Sequence, residues 1–311
     1  MISWRYHVVS IVAVILAFGL GILAGSSVVN ERFIRDLELN YDEAIDERDA
    51  AVDTVALYEE FAEGLQPILR DDVLTGEEAV VVTMEAVDRP ARRAADELEA
   101  AGVDVLATLR LTRRLAEPEL PENVATIQAI LGTTSSDPET LRRQVADELA
   151  ARLAAGPDTA GDDVLGALLA EGLVTADRDL DDAALQGIGG ATQVIVLAAG
   201  GAPPVGLPGP STLLVPLVDR FVALDATVAV VGPREDDYGS VAAVRDSGDI
   251  PDCSIVTVDD IDLPIGGIAL VMGLQRLLDD PDPEFRPGGD YGIGTGAIVP
   301  GAAEVPASCR R

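Results

Sequence analysis

From Val8 to Val29 the chain carries no ionisable side chain, reading VVSIVAVILAFGLGILAGSSVV. Twenty-two such residues at about 1.5 Å rise make about 33 Å of helix, enough to cross a hydrocarbon core of about 30 Å. Two readings of this run are open. A cleaved signal peptide would use Arg5 as its basic region and Ala24-Gly25-Ser26 as its small-residue exit; a lipoprotein signal would need Cys where Ser26 stands. A retained anchor is favoured, because the basic region is thin and the run exceeds the roughly 7–15 residues of a signal core. The count of basic residues does not settle orientation, since Arg5 precedes the span and Arg32 and Arg35 follow it. A span that starts almost at Met1 behaves as a signal anchor, which puts the N-terminus inside and the bulk of the chain outside the cytoplasm. Residues 1–30 are therefore read as a single-pass membrane anchor, with its helix over about 8–29.

Everything after Asn30 is acidic. The whole chain has 54 Asp and Glu against 22 basic residues, all of them Arg, for a net charge of -32. Clustered cations for phosphate contacts are lacking, which excludes a nucleic-acid binder working through a basic footprint. A polybasic membrane face is excluded on the same ground. The hydrophobic fraction of 48% argues against an acidic disordered tail. Exposed charges are screened within about 10 Å at about 0.1 M salt, so the acidic surface is diffuse and forms no binding site by itself.

Residues 31–70 are charged, poor in Gly and Pro, and helical in period. A heptad frame places Ile34, Tyr41, Arg48, Val55, Ala62 and Leu69 at a, and Leu37, Ala44, Ala51, Tyr58 and Leu65 at d. Only Arg48 interrupts that seam, which predicts a coiled-coil stalk and homo-oligomerisation through it. The competing reading is one amphipathic helix.

From Glu77 the texture changes to short β-branched runs alternating with Ala/Leu/Arg-rich helices. Strands are expected at Ala79–Met84, Val103–Leu109, Val194–Ala199, Thr227–Val231 and Ser254–Val258. Helices are expected at Arg89–Ala101, Pro138–Ala154, Asp162–Val174, Ser211–Leu224, Tyr238–Asp246 and Ile265–Leu278. This alternation predicts an α/β fold: a mainly parallel sheet with helices on both faces, over residues 77–300, followed by a flexible tail at 301–311.

The chemistry is sparse. The one His, His7, lies at the membrane edge, so a His-based triad in the soluble domain is ruled out. Cys253 and Cys309 form no metal-ligand pair, and either close a disulfide or stay as free thiols. The Gly run at 187–190 precedes its strand, whereas a dinucleotide loop follows one. The second run, from Gly292 to Gly296, has no strand before it, and the Pro-rich loop Gly200–Pro210 reads as a rigid connection. Of the acidic doublets, most read as solvated surface. Asp259-Asp260 stands at a strand end, where ligands of α/β sheets bind.

Certain stretches carry a family resemblance. The opening MISWRYHVVSIVAV, with Trp4, Arg5, His7 and Ser10, and Gly19, Gly21 and Gly25 in the span, resembles the start of the MctB family of actinobacterial copper transport proteins. Three later stretches are also similar: VAAVR ending at Arg245, SIVTVDD with Thr257, Asp259 and Asp260, and GDYG with Asp290, Tyr291 and Gly292. Where the family often has His in that last stretch, this chain has Asp290. The resemblance implies an envelope protein of copper homeostasis, in the cytoplasmic membrane or the outer membrane, with copper as transported ion and a pore arising by oligomerisation. Without a His or a plausible activated Cys in the soluble domain, and with neither Gly run placed as a cofactor loop, no enzymatic activity and no resident cofactor are expected. Asp259, Asp260 and Asp290 are the metal-ligand candidates. An oligomeric scaffold of the envelope, without copper conduction, is the alternative; a carboxylate-based enzyme is the third reading.

Overall fold

The computed structural model describes residues 4–84, 88–116, 120–157, 163–200, 212–236, 239–247, 255–279 and 289–292, with the side chains of 24–39, 42 and 43 left aside. Two compact units divide the chain, Met1–Glu60 and Phe61–Arg311.

The first unit is helix. α1 runs without a break over Trp4–Arg70 and passes into the second unit at Phe61. Its stretch Trp4–Leu23 has a mean hydropathy of 2.3, long and apolar enough to cross a membrane. Further along, Tyr41, Val52, Val55 and Tyr58 are exposed in the single chain.

The second unit is a doubly wound α/β domain. β1 (Glu78–Met84), β2 (Asp104–Leu111), β4 (Val194–Ala198), β5 (Thr227–Val231), β6 (Ile255–Val258) and β7 (Gly289–Tyr291) are parallel. β3 (Val174–Ala176) joins antiparallel beside β2, so the sheet order is β3-β2-β1-β4-β5-β6-β7. Buried on both faces, the strands read as runs of Val, Ile and Ala. Alternate residues feed two cores. Val80, Val82, Ile195, Leu197, Val228 and Val230 pack beneath α5 (Pro138–Ala155), α8 (Leu214–Ala223) and α9 (Ser240–Arg245). Ala79, Val81, Val194, Val196, Ala229 and Val231 pack beneath α2 (Asp88–Ala100) and α10 (Pro264–Asp279).

Helices on both faces bear out the expected class. One expected element is corrected. The helix read over Asp162–Val174 is the short α6 (Val164–Ala170), then a turn at Gly172 (φ +65°), then β3. Gly172 and the β-branched pair Val174-Thr175 stop the helix there. Five elements had no sequence expectation: α3 (Arg113–Ala116), α4 (Pro121–Leu131), β3, α7 (Asp182–Gly187) and β7.

The last crossover differs in hand from its neighbours. α8 and α9 carry the chain from β4 to β5 to β6 across one face, whereas α10 carries it onward to β7 across the other. The direction of travel is the same and the face is opposite, so the β6–α10–β7 unit has the opposite hand to the β4–α8–β5 and β5–α9–β6 units. Right-handed units are the rule, which makes the attachment of β7 the unusual step of this fold.

Candidate functional site

The late stretches VAAVR, SIVTVDD and GDYG meet at the β6–β7 edge. α9 ends on Arg245, β6 presents Thr257 towards α9 and sets Asp259 just past its end, and β7 supplies Asp290 and Tyr291 through the register Thr257↔Asp290 and Val258↔Tyr291. Arg245 Nε donates to Thr257 Oγ1 at 2.8 Å, Nη1 to Asp259 Oδ2 at 2.6 Å, and Nη2 to the Tyr291 carbonyl at 2.8 Å. Thr257 Oγ1 in turn donates to Asp290 Oδ1 at 2.7 Å, which lies 3.5 Å from Arg245 Nε. All three guanidinium nitrogens are engaged, and the side chain is only 8% exposed. Such an Arg fastens three pieces of chain together; it is not held open for a substrate. Asp290, standing where the resemblance has His, is part of this clasp.

Tyr291 is buried, its hydroxyl 3.5 Å from Arg276 of α10, and burial pushes that hydroxyl above the usual tyrosine value. Gly292 has φ +129°, and a Cβ there would overlap the Asp259 carboxylate. Glycine is required at this position on both counts.

Asp260 is the unusual group. It is fully buried, and neither carboxylate oxygen has a hydrogen-bond partner among the described residues. Burial, then the charges of Asp259 and Asp262, push its pKa up to about 6, with Arg245 opposing. The first turn of α10 is pressed onto it: a Cβ on Gly266 would overlap the Asp260 carbonyl and stand 2.9 Å from its Oδ1. Gly266→Ala is expected to lower stability by about 1–3 kcal/mol through overpacking, read from a denaturant midpoint.

The raised value has a definite sign for stability. A carboxyl with a folded pKa near 6 and an unfolded value near 3.8 holds its proton more tightly in the native state. Its contribution is therefore complete below about pH 3.8 and is lost as pH rises through about 6. The expected loss is at most about 3 kcal/mol between pH 4 and 7. Denaturant titrations of wild type and Asp260→Asn over that range check it: the difference between the two should change with pH in this sense.

A second buried carboxylate lies on the α2 side. Glu97 accepts from Gln66 Nε2 at 2.8 Å and pairs with Arg70 and Arg93, each at 2.8 Å. Gly267, next to Gly266 on α10, is closed against it; a Cβ there would overlap the Glu97 carboxylate. The adjacent glycines of Pro-Ile-Gly-Gly thus each accommodate one buried acid. Sequence reasoning missed Glu97. The available signal was its place three residues after Ala94 and one before Leu98, on the buried face of α2.

The remaining sequence features resolve locally. Trp4, Arg5, His7, Ser10, Gly19 and Gly21 lie exposed along α1, and Gly25 is within the same helix. At the 187–190 run, Gly189 (φ +88°) packs on the end of α5, where buried Arg152 donates to the Ile188 and Leu185 carbonyls and pairs with Asp163. The acidic doublets do more than face solvent: Asp163 and Asp181 cap α6 and α7, and Asp236 accepts from the amides of Gly239 and Ser240. Cys253, Cys309, residues 201–210 and the 301–311 tail lie outside the described residues. Among the described residues no group of three or more His, Cys, Asp or Glu is arranged to hold a metal ion.

Comparison with known proteins spans the whole chain. Copper transporter MctB of Mycobacterium tuberculosis (strain CDC 1551 / Oshkosh) is 29% identical over 96% of this chain and 98% of its own length. Copper transporter MctB of Mycobacterium bovis matches to the same extent. The family model described as copper transport outer membrane protein, MctB, matches residues 1–300, from the apolar opening of α1 through the Arg245 clasp and beyond β7, and the chain belongs to that family.

Proposed function

We propose that the chain is a membrane-anchored protein of the cell envelope that acts in copper transport, limiting the copper held inside the cell. The observation that carries this reading is the family match over residues 1–300, which takes in both the apolar helix and the α/β domain. In this reading copper is cargo. The described residues offer no cluster of soft ligands, and the buried cations Arg245 and Arg152 and the half-buried Arg70 are committed to protein partners. In this reading the α/β domain has no enzymatic role. Deleting the gene in its host is expected to raise cell-associated copper and copper sensitivity, with restoration by the intact gene. Unchanged tolerance and content would overturn the reading.

Conduction through an outer membrane would be supplied by several copies, joined along the helical face of residues 31–70. The exposed seam residues Tyr41, Val55 and Tyr58 support this. Sedimentation of the full chain in detergent is expected to show an oligomer that Val55→Asp with Tyr58→Asp dissociates. A strict monomer would remove both the coiled coil and the oligomeric pore. An oligomer without any copper phenotype would instead favour an envelope scaffold.

A further inference from the structure

Two carboxylates meet at the end of β6, and the Arg245 clasp uses only one oxygen of the pair. Asp260 is fully buried, and neither of its oxygens has a hydrogen-bond partner among the described residues. The donors around it are spent elsewhere. The amide of Asp259 goes to the Tyr291 carbonyl, that of Ile261 to Gly232, that of Leu263 to the Asp260 carbonyl, and those of Gly266 and Gly267 to Leu263. Arg245 gives its three nitrogens to Thr257, Asp259 and Tyr291. Buried charges are paired or ligate a metal ion, and a buried polar group that protein donors leave unsatisfied points to a bound ion or water.

A second oxygen converges on the same place. Asp259 turns Oδ2 to Arg245 at 2.6 Å, while its Oδ1 lies against Gly292 of the β7 end. A Cβ on Gly292 would overlap that Oδ1 and stand 3.2 Å from Asp260 Oδ1, so both oxygens face one point of the backbone, and a side chain there would fill it. Charge agrees with geometry. Asp259, Asp260, Asp262 and Asp290 stand at this edge against Arg245 and Arg276, an excess that one divalent cation neutralises. Position agrees as well, since the pair follows β6 at the carboxyl end of the sheet, where α/β folds bind their ligands.

We propose that Asp259 and Asp260 form a site for a hard divalent cation, Mg²⁺ or Ca²⁺, which bridges the two carboxylates and fastens β7 to the end of β6. Carboxylate oxygens suit these ions, and one or two carboxylates with retained water is the usual protein site of Mg²⁺. The site is separate from the copper cargo, because Cu⁺ selects thiolate and thioether ligands and this pair offers neither. Holding β7 matters because the strand is three residues long and has only a short ladder to β6. Gly292 closes over both ligand oxygens, so an ion between them ties the end of that strand down.

Hydrogen exchange of the full chain in detergent tests the site, with each protein compared after chelation and after addition of about 5 mM Mg²⁺ or Ca²⁺. Salt at about 0.15 M screens diffuse binding by the acidic surface. Either ion is expected to raise protection over residues 255–258 and 289–292 about tenfold, the mass-action factor for a Kd of about 0.5 mM, while β1 and β4 stay unchanged. Asp260→Asn, which keeps the shape and removes a charged ligand, is expected to lose the response. An equal response in Asp260→Asn would overturn the proposal. A wild type whose β6–β7 edge gains no more protection than β1 and β4 with either ion would overturn it as well, and that comparison needs no variant.

Discussion

Replacing Arg245 by Ala is expected to lower the unfolding free energy by about 3–5 kcal/mol, the cost of removing one partner from a buried ion pair. The substitution removes the Arg245 bonds to Thr257, Asp259 and the Tyr291 carbonyl and the Arg245–Asp290 pair at once, while Thr257 stays bonded to Asp290. Asp259 and Asp290 are 15% and 19% exposed, so water can reach these carboxylates and the loss should fall near the lower end. Arg245→Lys should recover less than half of it, because an ammonium is a single point of charge and cannot reproduce three directed bonds from one plane. Denaturant unfolding of the full chain in detergent gives the energies. Hydrogen exchange locates the damage, which should concentrate on β7 and the end of α9. A loss below 1 kcal/mol would show that the clasp is incidental to the fold.

Glu97→Ala should be as severe for a different reason. Here the acid is the buried centre, 1% exposed, and its removal leaves Arg93 without its anion, Arg70 with Asp71 alone, and Gln66 without its acceptor. The expected loss is again about 3–5 kcal/mol. Arg93 is 35% exposed and can turn to solvent, but Arg70, at 18%, is less free to do so. The diagnostic readout is local: protection at Gln66–Arg70, the last turn of α1, should fall together with that of α2. Gly267→Ala offers an independent check, since a methyl group there displaces the Glu97 carboxylate from the other side. If Glu97→Ala left Gln66–Arg70 fully protected, the network would not be what fastens that turn.

The strands β1, β4, β5 and β6 were legible because they are buried on both faces and read as unbroken, mostly β-branched apolar runs, whereas β2 alternates buried and half-buried residues. Thr227–Val231 is the clearest instance, matching β5 residue for residue. β3 and β7 were not, because Val-Thr-Ala and Gly-Asp-Tyr are too short to display a period; they are strands only because a neighbour pairs with them. α4 did carry end signals, Pro121 at its first turn and Gly132 (φ +62°) at its close, yet its interior lacks a clean stripe. The clasp shows the same division. Family resemblance singled out Arg245, Thr257, Asp259, Asp290, Tyr291 and Gly292, but only the β6–β7 register brings Arg245 to the Tyr291 carbonyl 46 residues away. The burial of Asp260 is likewise set by Gly266 and Gly292, which no spacing rule connects to it.

The two outermost strands of the sheet, β3 and β7, are each three residues long. A short edge offers an incoming chain only a brief row of free amides and carbonyls, and β3 runs against the direction of the parallel core, so a further parallel strand would find no matching template there. Copies crowded side by side in one bilayer are thereby protected against runaway edge-to-edge pairing, the route to aggregated sheets. In the proposed oligomer, self-recognition would be left to side chains along a helix, where a heptad would set the register and keep the number of copies finite.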